Sequence, residues 1–258
     1  VPVNEYHVTR TALIDADYLA HEAAAWAHAT QADAFDLMER VQATVRGWAA
    51  QACCQYWVVL YSDSRENNFR RDYYPLYKAH RTGDPPAMLE IARQCIRDMS
   101  ARTYTSPRLE ADDLMGIMGT NGRIENPVLV TRDKDLRQIP GWHLNPYAED
   151  FPVYVSRREA DLNFCAQWLQ GDAVDGFPGI KGVGPKRARK ILGDPDSLRV
   201  AYQRCTEAYE DAGKDPEQYL AQARCARILR ACDWDSDARK PIPWTPERSL
   251  SEEGDWNE

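Results

Sequence analysis

The chain has 258 residues, 43% of them apolar, and a net charge of −8. That length can bury one large core, or a core plus a helical appendage, and no stretch approaches the length of a membrane span. Seven scattered cysteines, of which only Cys53 and Cys54 are adjacent, argue against a disulfide framework, and the lack of any Cys-x-x-Cys or Cys/His pattern argues against zinc.

Reduced thiols and no amino-terminal signal pattern lead to the expectation of a cytoplasmic protein. A net negative charge weighs against a nucleic-acid partner only when it is evenly spread. Here residues 233–258 carry eight acids against three bases, more than half of the excess. The rest of the chain is locally basic, at residues 65–81 and 181–190.

In chain order, Thr11-Ala-Leu-Ile-Asp15 reads as a strand, with an alanine-rich helix over residues 18–29 and a second helix over 34–53. The run Tyr56-Trp-Val-Val-Leu-Tyr61 is too short for most helices and rich in β-formers. Pro85-Pro86 predicts a helix start running to residue 100. Residues 109–119 read as a helix, and 127–131, 141–145 and 152–156 as strands. This alternation predicts an α/β fold around a mostly parallel central sheet with flanking helices, spanning residues 1–156. Beyond it, helices are expected at 157–170, 185–192, 196–210 and 216–231, making residues 157–232 a helical region. Residues 233–258 read as an irregular acidic tail.

Nine carboxylates fall in five clusters: Asp15; Asp63; Glu110 with Asp112 and Asp113; Asp133 with Asp135; and Asp172 with Asp175. Three of the clusters end or closely follow an apolar strand, where ligands bind in open α/β sheets. Bare anions cannot share one pocket, because each raises its neighbours' pKa until some take up protons. Divalent Mg²⁺ or Mn²⁺ resolves the conflict, and such a site suits phosphodiester hydrolysis. The bland reading of any single acid is a solvated side chain or a helix end matched to the dipole. Asp17 is expected to cap the following helix.

Residues 65–81 interleave Phe69, Tyr73, Tyr74 and Tyr77 with Arg70, Arg71, Lys78 and Arg81. Aromatic faces stack on bases while the cations hold phosphates, a recipe for gripping a single strand. The alternative is a solvated loop with its tyrosines packed inward. Downstream, Gly171-Asp-Ala-Val-Asp-Gly-Phe-Pro-Gly-Ile-Lys-Gly-Val-Gly-Pro-Lys186 joins two helices. Its glycines permit a tight turn whose backbone N–H groups can hold a phosphate, with Lys181, Lys186 and Arg187 as counter-charge.

Taken in order, Leu-Ile-Asp15, Tyr-Ser-Asp63, Tyr77-Lys-Ala-His-Arg81, Glu110-Ala-Asp-Asp113, Thr-Arg-Asp133-Lys-Asp135 and Gly171-Asp-Ala-Val-Asp175 with its glycine turn resemble the 5′-nuclease family. That family includes flap endonucleases, the 5′-nuclease domain of DNA polymerase I, and phage 5′-3′ exonucleases, which the short chain resembles most. The resemblance implies a helical arch over the site, within about residues 64–100, and a helix-three-turn-helix module. By matching positions it assigns Asp15, Asp63, Glu110, Asp112 and Asp113 to one metal group and Asp133, Asp135, Asp172 and Asp175 to a second. It gives Lys78 and Arg81 a role at the scissile phosphate and Tyr77 a stacking role. Arg70, Arg71, Lys181, Gly182, Gly184, Lys186 and Arg187 become DNA contacts, and Gly179, Gly182 and Gly184 a backbone site for K⁺. The implied activity is that of a monomeric Mg²⁺- or Mn²⁺-dependent exonuclease and flap endonuclease, acting on DNA with 5′ ends, flaps or nicks, or on RNA–DNA hybrids. The rival readings are a PIN-like ribonuclease and a non-catalytic binder of branched DNA.

Overall fold

A computed structural model of the chain describes residues 9–80, 85–99 and 102–256. Its centre is strand β1 (Thr11–Asp15), every residue of which is buried. Helices α1 (Ala16–Thr30) and α2 (Ala34–Gln51) lead to β2 (Tyr56–Leu60); α3 (Leu89–Met99), β3 (Thr103–Tyr104), α4 (Ala111–Thr120) and β4 (Pro127–Val130) follow. After β5 (Gly141–Leu144) and β6 (Val153–Val155) come α5 (Arg157–Gln170), α6 (Pro185–Leu192), α7 (Leu198–Asp211) and α8 (Pro216–Ala226). The sheet runs β3-β2-β1-β4-β5-β6, parallel throughout except for the antiparallel pair β5–β6.

Alternation along β1 divides the core. Ala12 and Ile14 point to a cluster with the alanine face of α1, Val41 and Val45 of α2, and Ala92 and Ile96 of α3. Leu13 points the other way, to Leu114 and Met115 of α4 and to Leu136, Ile139, Ile228 and Leu229. A third cluster, built on Phe164, Trp168, Tyr202 and Tyr209, joins α5, α7 and α8. Because the chain leaves β1 toward β2 on one side and reaches β4 on the other, the strand order reverses beside β1. That crevice is where such sheets bind ligands.

The structure departs from the expected elements in four places. Strand β3 pairs with β2 where no strand is expected. The helix expected from Pro85-Pro86 starts at Leu89, and it packs on α1 and α2 through Leu89, Ala92 and Ile96. The helix expected to run to residue 231 stops at Ala226, and Arg227 is extended. The tail expected to be irregular is folded. Strands β7 (Trp234–Asp235) and β8 (Lys240–Pro241) pair, and helix α9 (Pro246–Glu253) follows, capped by the Thr245 hydroxyl accepting from the Arg248 N–H. Trp244 fills a gap among Phe164, Trp168 and Tyr202, so apolar burial anchors this acidic stretch. Among the described residues, no helix is long and apolar enough to cross a membrane.

Candidate active site

The carboxyl ends of β1, β2 and β4 open onto a cleft of about 400 Å³. Asp15 ends β1 and caps α1: one oxygen accepts from the Tyr18 N–H at 3.1 Å, the other from the Thr131 hydroxyl at 3.2 Å. The same hydroxyl accepts from the Asp133 N–H at 3.0 Å, tying the ends of β1 and β4 together. Asp133 then caps the 3₁₀ turn Lys134–Gln138, accepting from the Asp135 N–H at 2.8 Å. At the end of β2 the Ser62 hydroxyl accepts from the Ala111 N–H at 2.9 Å, which fixes the start of α4 and brings Asp112 to the cleft. Asp172 and Asp175 close the opposite wall; Asp172 shapes its own turn by accepting from the Val174 and Asp175 N–H groups.

This convergence perturbs the acids. Burial first, then the Asp17 and Asp133 charges, raises the Asp15 carboxyl to about 7. Burial, Asp133 and Asp172 raise Asp135 to about 6. Asp112 is pushed well above its ordinary value by burial and by Asp133 and Asp15, and burial and Asp175 raise Asp133. Glu110 goes the other way: against its burial, the cations of Lys78 and Arg70 hold it at about 2.

Lys78, like Arg70, is a buried cation of the cleft. Its Nζ donates to Glu110 and lies 3.5 Å from Asp175. Its backbone is left-handed, φ 52°, a conformation that disfavours a residue with a Cβ and is held by a 2.7 Å bond from its N–H to the Asp175 carbonyl.

The sequence assignments divide on this geometry. Asp15, Glu110, Asp112, Asp133, Asp135, Asp172, Asp175 and Lys78 all line the cleft. Asp63 does not. Successive residues of an extended chain point to opposite sides, so Ser62 faces inward and Asp63 outward, where the Arg108 N–H holds its carboxyl below the usual range. Asp113 is fully buried and bound through both oxygens by Arg70, which removes it from metal ligation. Arg70 is correspondingly buried and unable to grip a strand. Tyr77, expected to stack on a base, is buried against Phe177, and its hydroxyl lies 2.9 Å from both Glu110 and Asp175. Arg71 is half-buried away from the cleft. Arg81 lies outside the described residues.

Lys181, Lys186 and Arg187 are exposed on and before α6. Gly182 has φ 78°, Gly184 caps α6, and the Gly179 N–H donates to the Gln222 side chain at 3.0 Å. Gly179 and Gly171 approach so closely that a Cβ on either would collide with the other's backbone.

Sequence reasoning missed several residues of the cleft, three of them charged or amide side chains. Asp17, expected as a cap, instead accepts from the Ser62 N–H at 3.0 Å and joins the ends of β1 and β2. Gln167 donates to Asp135 at 2.7 Å. Lys134 lines the rim. Only the Asp15-x-Asp17 and Asp133-Lys-Asp135 spacing could have signalled two of them.

The donor set is all oxygen, which suits a hard divalent cation, and the raised carboxyls are the conflict that such a charge relieves. Among the described residues no three of these acids stand at ligating distance as their side chains lie.

Residues 10–157 match the family model described as 5′-3′ exonuclease, N-terminal resolvase-like domain. The chain is 28% identical over 185 residues to DNA polymerase I of Rhizobium leguminosarum, a match covering 65% of this chain and 18% of that protein. It thus spans less than a fifth of that relative. It is 27% identical over 234 residues to the flap endonuclease Xni of Pectobacterium carotovorum, covering 78% of this chain and 88% of the relative. The fold is similar to that of the bacteriophage T5 flap endonuclease solved with DNA and metal ions, with a TM-score of 0.57, 15% identity, and coverage of 84% of this chain and 90% of that one.

Proposed function

The chain belongs to the 5′-3′ exonuclease family, and on that premise we propose that it is a structure-specific 5′-nuclease, hydrolysing DNA near 5′ ends, flaps or nicks as a monomer. One observation carries the reading: Asp15, Asp112, Asp133 and Asp135 come from β1, α4 and the turn after β4, yet share one cleft with Lys78. Divalent ions, Mg²⁺ or Mn²⁺, would be held by these acids with Asp172 and Asp175, and would supply an activated water and charge neutralisation.

The chain's own groups do the rest. Glu110 and Asp175 aim the Lys78 ammonium, which would face the charge that develops on the phosphate. The Tyr77 hydroxyl links Glu110 to Asp175, so the wall that carries Lys78 moves with both acids. Lys181, Lys186 and Arg187, with the N–H groups around Gly182 and Gly184, would hold duplex backbone without reading sequence. The same turn, Gly179 to Gly184, would take K⁺ through its carbonyls, and Arg81 would join Lys78 at the scissile phosphate.

Labelled 5′-flap, nicked, blunt, single-stranded RNA and RNA–DNA substrates, each with Mg²⁺, Mn²⁺ and EDTA, test the proposal. Mg²⁺-dependent cutting at a flap junction supports it. Cutting confined to single-stranded RNA selects the ribonuclease reading, and tight binding with no cutting selects the scaffold.

A further inference from the structure

The segment that follows α8 is extended where the sequence predicts helix, and it lies between the two elements that carry the cleft acids. On one side the Leu229 N–H donates to Asp113 of α4 at 3.2 Å, and Arg70, which grips Asp113, donates to the Arg227 carbonyl at 2.7 Å. On the other side the Gln138 side chain, at the end of the 3₁₀ turn, donates to the Ala226 carbonyl at 3.0 Å, while Arg230 donates to the Gln138 carbonyl at 2.6 Å. Gly116 of α4 has no room for a Cβ because the Leu229 carbonyl presses on it. The segment is thus a spacer: α4 rests on one edge and the turn bearing Asp135 on the other. Cys225, Ala226 and Ile228 form part of the cleft wall itself.

Two cations hold the spacer, and all but one of the acids they meet lie in the carboxyl-terminal stretch. Arg227 donates to Asp233 at 2.9 Å and to Glu253 at 3.0 Å; Arg230 donates to Glu253 at 2.8 Å and lies 2.7 Å from Asp161. Arg227, Arg230 and Asp233 are almost wholly buried. Apolar side chains of similar volume often serve stability as well as or better than such a buried network, so stability alone does not account for it.

We propose that Asp233 and Glu253, acting through Arg227 and Arg230, are positioning residues that set the separation between Asp112 on α4 and Asp133 and Asp135 at the 3₁₀ turn. Helix α9 is then a working part of the site, although it touches none of the acids in the cleft. The inference rests on reading the cleft as a metal-dependent centre.

The test uses the whole chain with Glu253→Ala, Glu253→Gln and, separately, Gln138→Leu, which removes the side-chain half of the spacer's hold on the turn while leaving the Arg230 bond to the Gln138 carbonyl and every buried charge pair in place. Mn²⁺ binding is followed without DNA from the electron paramagnetic resonance signal of the free ion. The kcat and KM for a 5′-flap are measured at a temperature where melting curves show each variant folded. Glu253→Ala and Gln138→Leu should each lose about tenfold or more in Mn²⁺ affinity and in kcat, with KM for DNA within about twofold. Glu253→Gln, which keeps one acceptor for Arg230, should recover part of both. Either Glu253→Ala or Gln138→Leu, if it folds, decides the matter. A folded Glu253→Ala or Gln138→Leu protein with wild-type Mn²⁺ affinity and kcat, and only a lower Tm, overturns the proposal and leaves the nuclease reading standing. A wild-type chain that neither binds Mn²⁺ nor cuts overturns both.

Discussion

Arg70 and Asp113 meet through two parallel hydrogen bonds of 2.8 Å, and neither side chain has appreciable contact with solvent. The pair joins the segment before Lys78 to the first turn of α4, and a third bond of 3.3 Å extends it to Glu110. A planar guanidinium suits this fork, and a lysine in its place would not.

Breaking that pair should be costly. Arg70→Met leaves Asp113 charged and buried without its partner and should destabilise the fold by about 3–5 kcal/mol. The double variant with Asp113→Leu should recover most of the loss. Urea unfolding of the four members of the cycle measures both numbers. A single variant within about 1 kcal/mol of wild type contradicts this account.

The cleft acids should trade stability for chemistry. Asp112→Asn replaces a carboxyl whose charged form is disfavoured by burial first and then by Asp133 and Asp15, so the metal-free protein should gain about 0.5–2 kcal/mol. Its Mg²⁺-dependent cleavage should fall on the order of a thousandfold. Thermal melting in EDTA and flap cleavage in Mg²⁺ on one preparation check the two halves.

Lys78→Ala should lower kcat for a flap by about 10²–10³ while changing KM little, because the ammonium acts on the developing charge and not on the duplex. Equal effects on kcat and on duplex binding would assign Lys78 to binding instead.

His143 should give stability a dependence on pH. Burial first, then Arg137, lowers it to about 4, while its ring nitrogen sits 2.8 Å from the Ile139 carbonyl. The folded protein keeps the ring neutral, and the unfolded chain protonates near 6.5. Its contribution, up to about 3 kcal/mol, is therefore complete above pH 6.5 and lost as pH falls toward 4. Asp15 and Asp135, raised from 3.8 to about 7 and about 6, run the other way: the fold holds their protons, so stability declines as pH rises from about 4 to about 7. The difference between wild type and His143→Gln isolates the histidine; a difference constant from pH 4 to 8 refutes the assignment.

Much of the frame is legible in the chain because its signals are local. The β-rich apolar run at Thr11–Asp15 is a strand at those bounds. The Ser156 cap and Gly171 stop bracket α5, and Pro185 with Gly193 brackets α6. The signal for α9 was also present, as Thr245-Pro-Glu, and was obscured by the acidic composition around it. By contrast, no glycine or proline marks the end of α8 at Ala226. The chain leaves the helix there because Ile228 and Leu229 bury between α4 and the 3₁₀ turn while Arg227 and Arg230 reach distant acids.

By itself the sequence determined that acids would gather where strands end, since apolar strands must bury and the charged residues that follow them emerge at one edge of the sheet. Which acids face that edge was decided only in three dimensions. Ser62 and Asp63 differ by one step of an extended chain, and Asp112 and Asp113 by one step of a helix, so a single residue of register turns one side chain toward the cleft and its neighbour toward solvent or Arg70. Charge pairs close across 43 positions for Arg70 with Asp113 and across a longer stretch still for Lys78 with Asp175, and no local pattern encodes a partner chosen by packing.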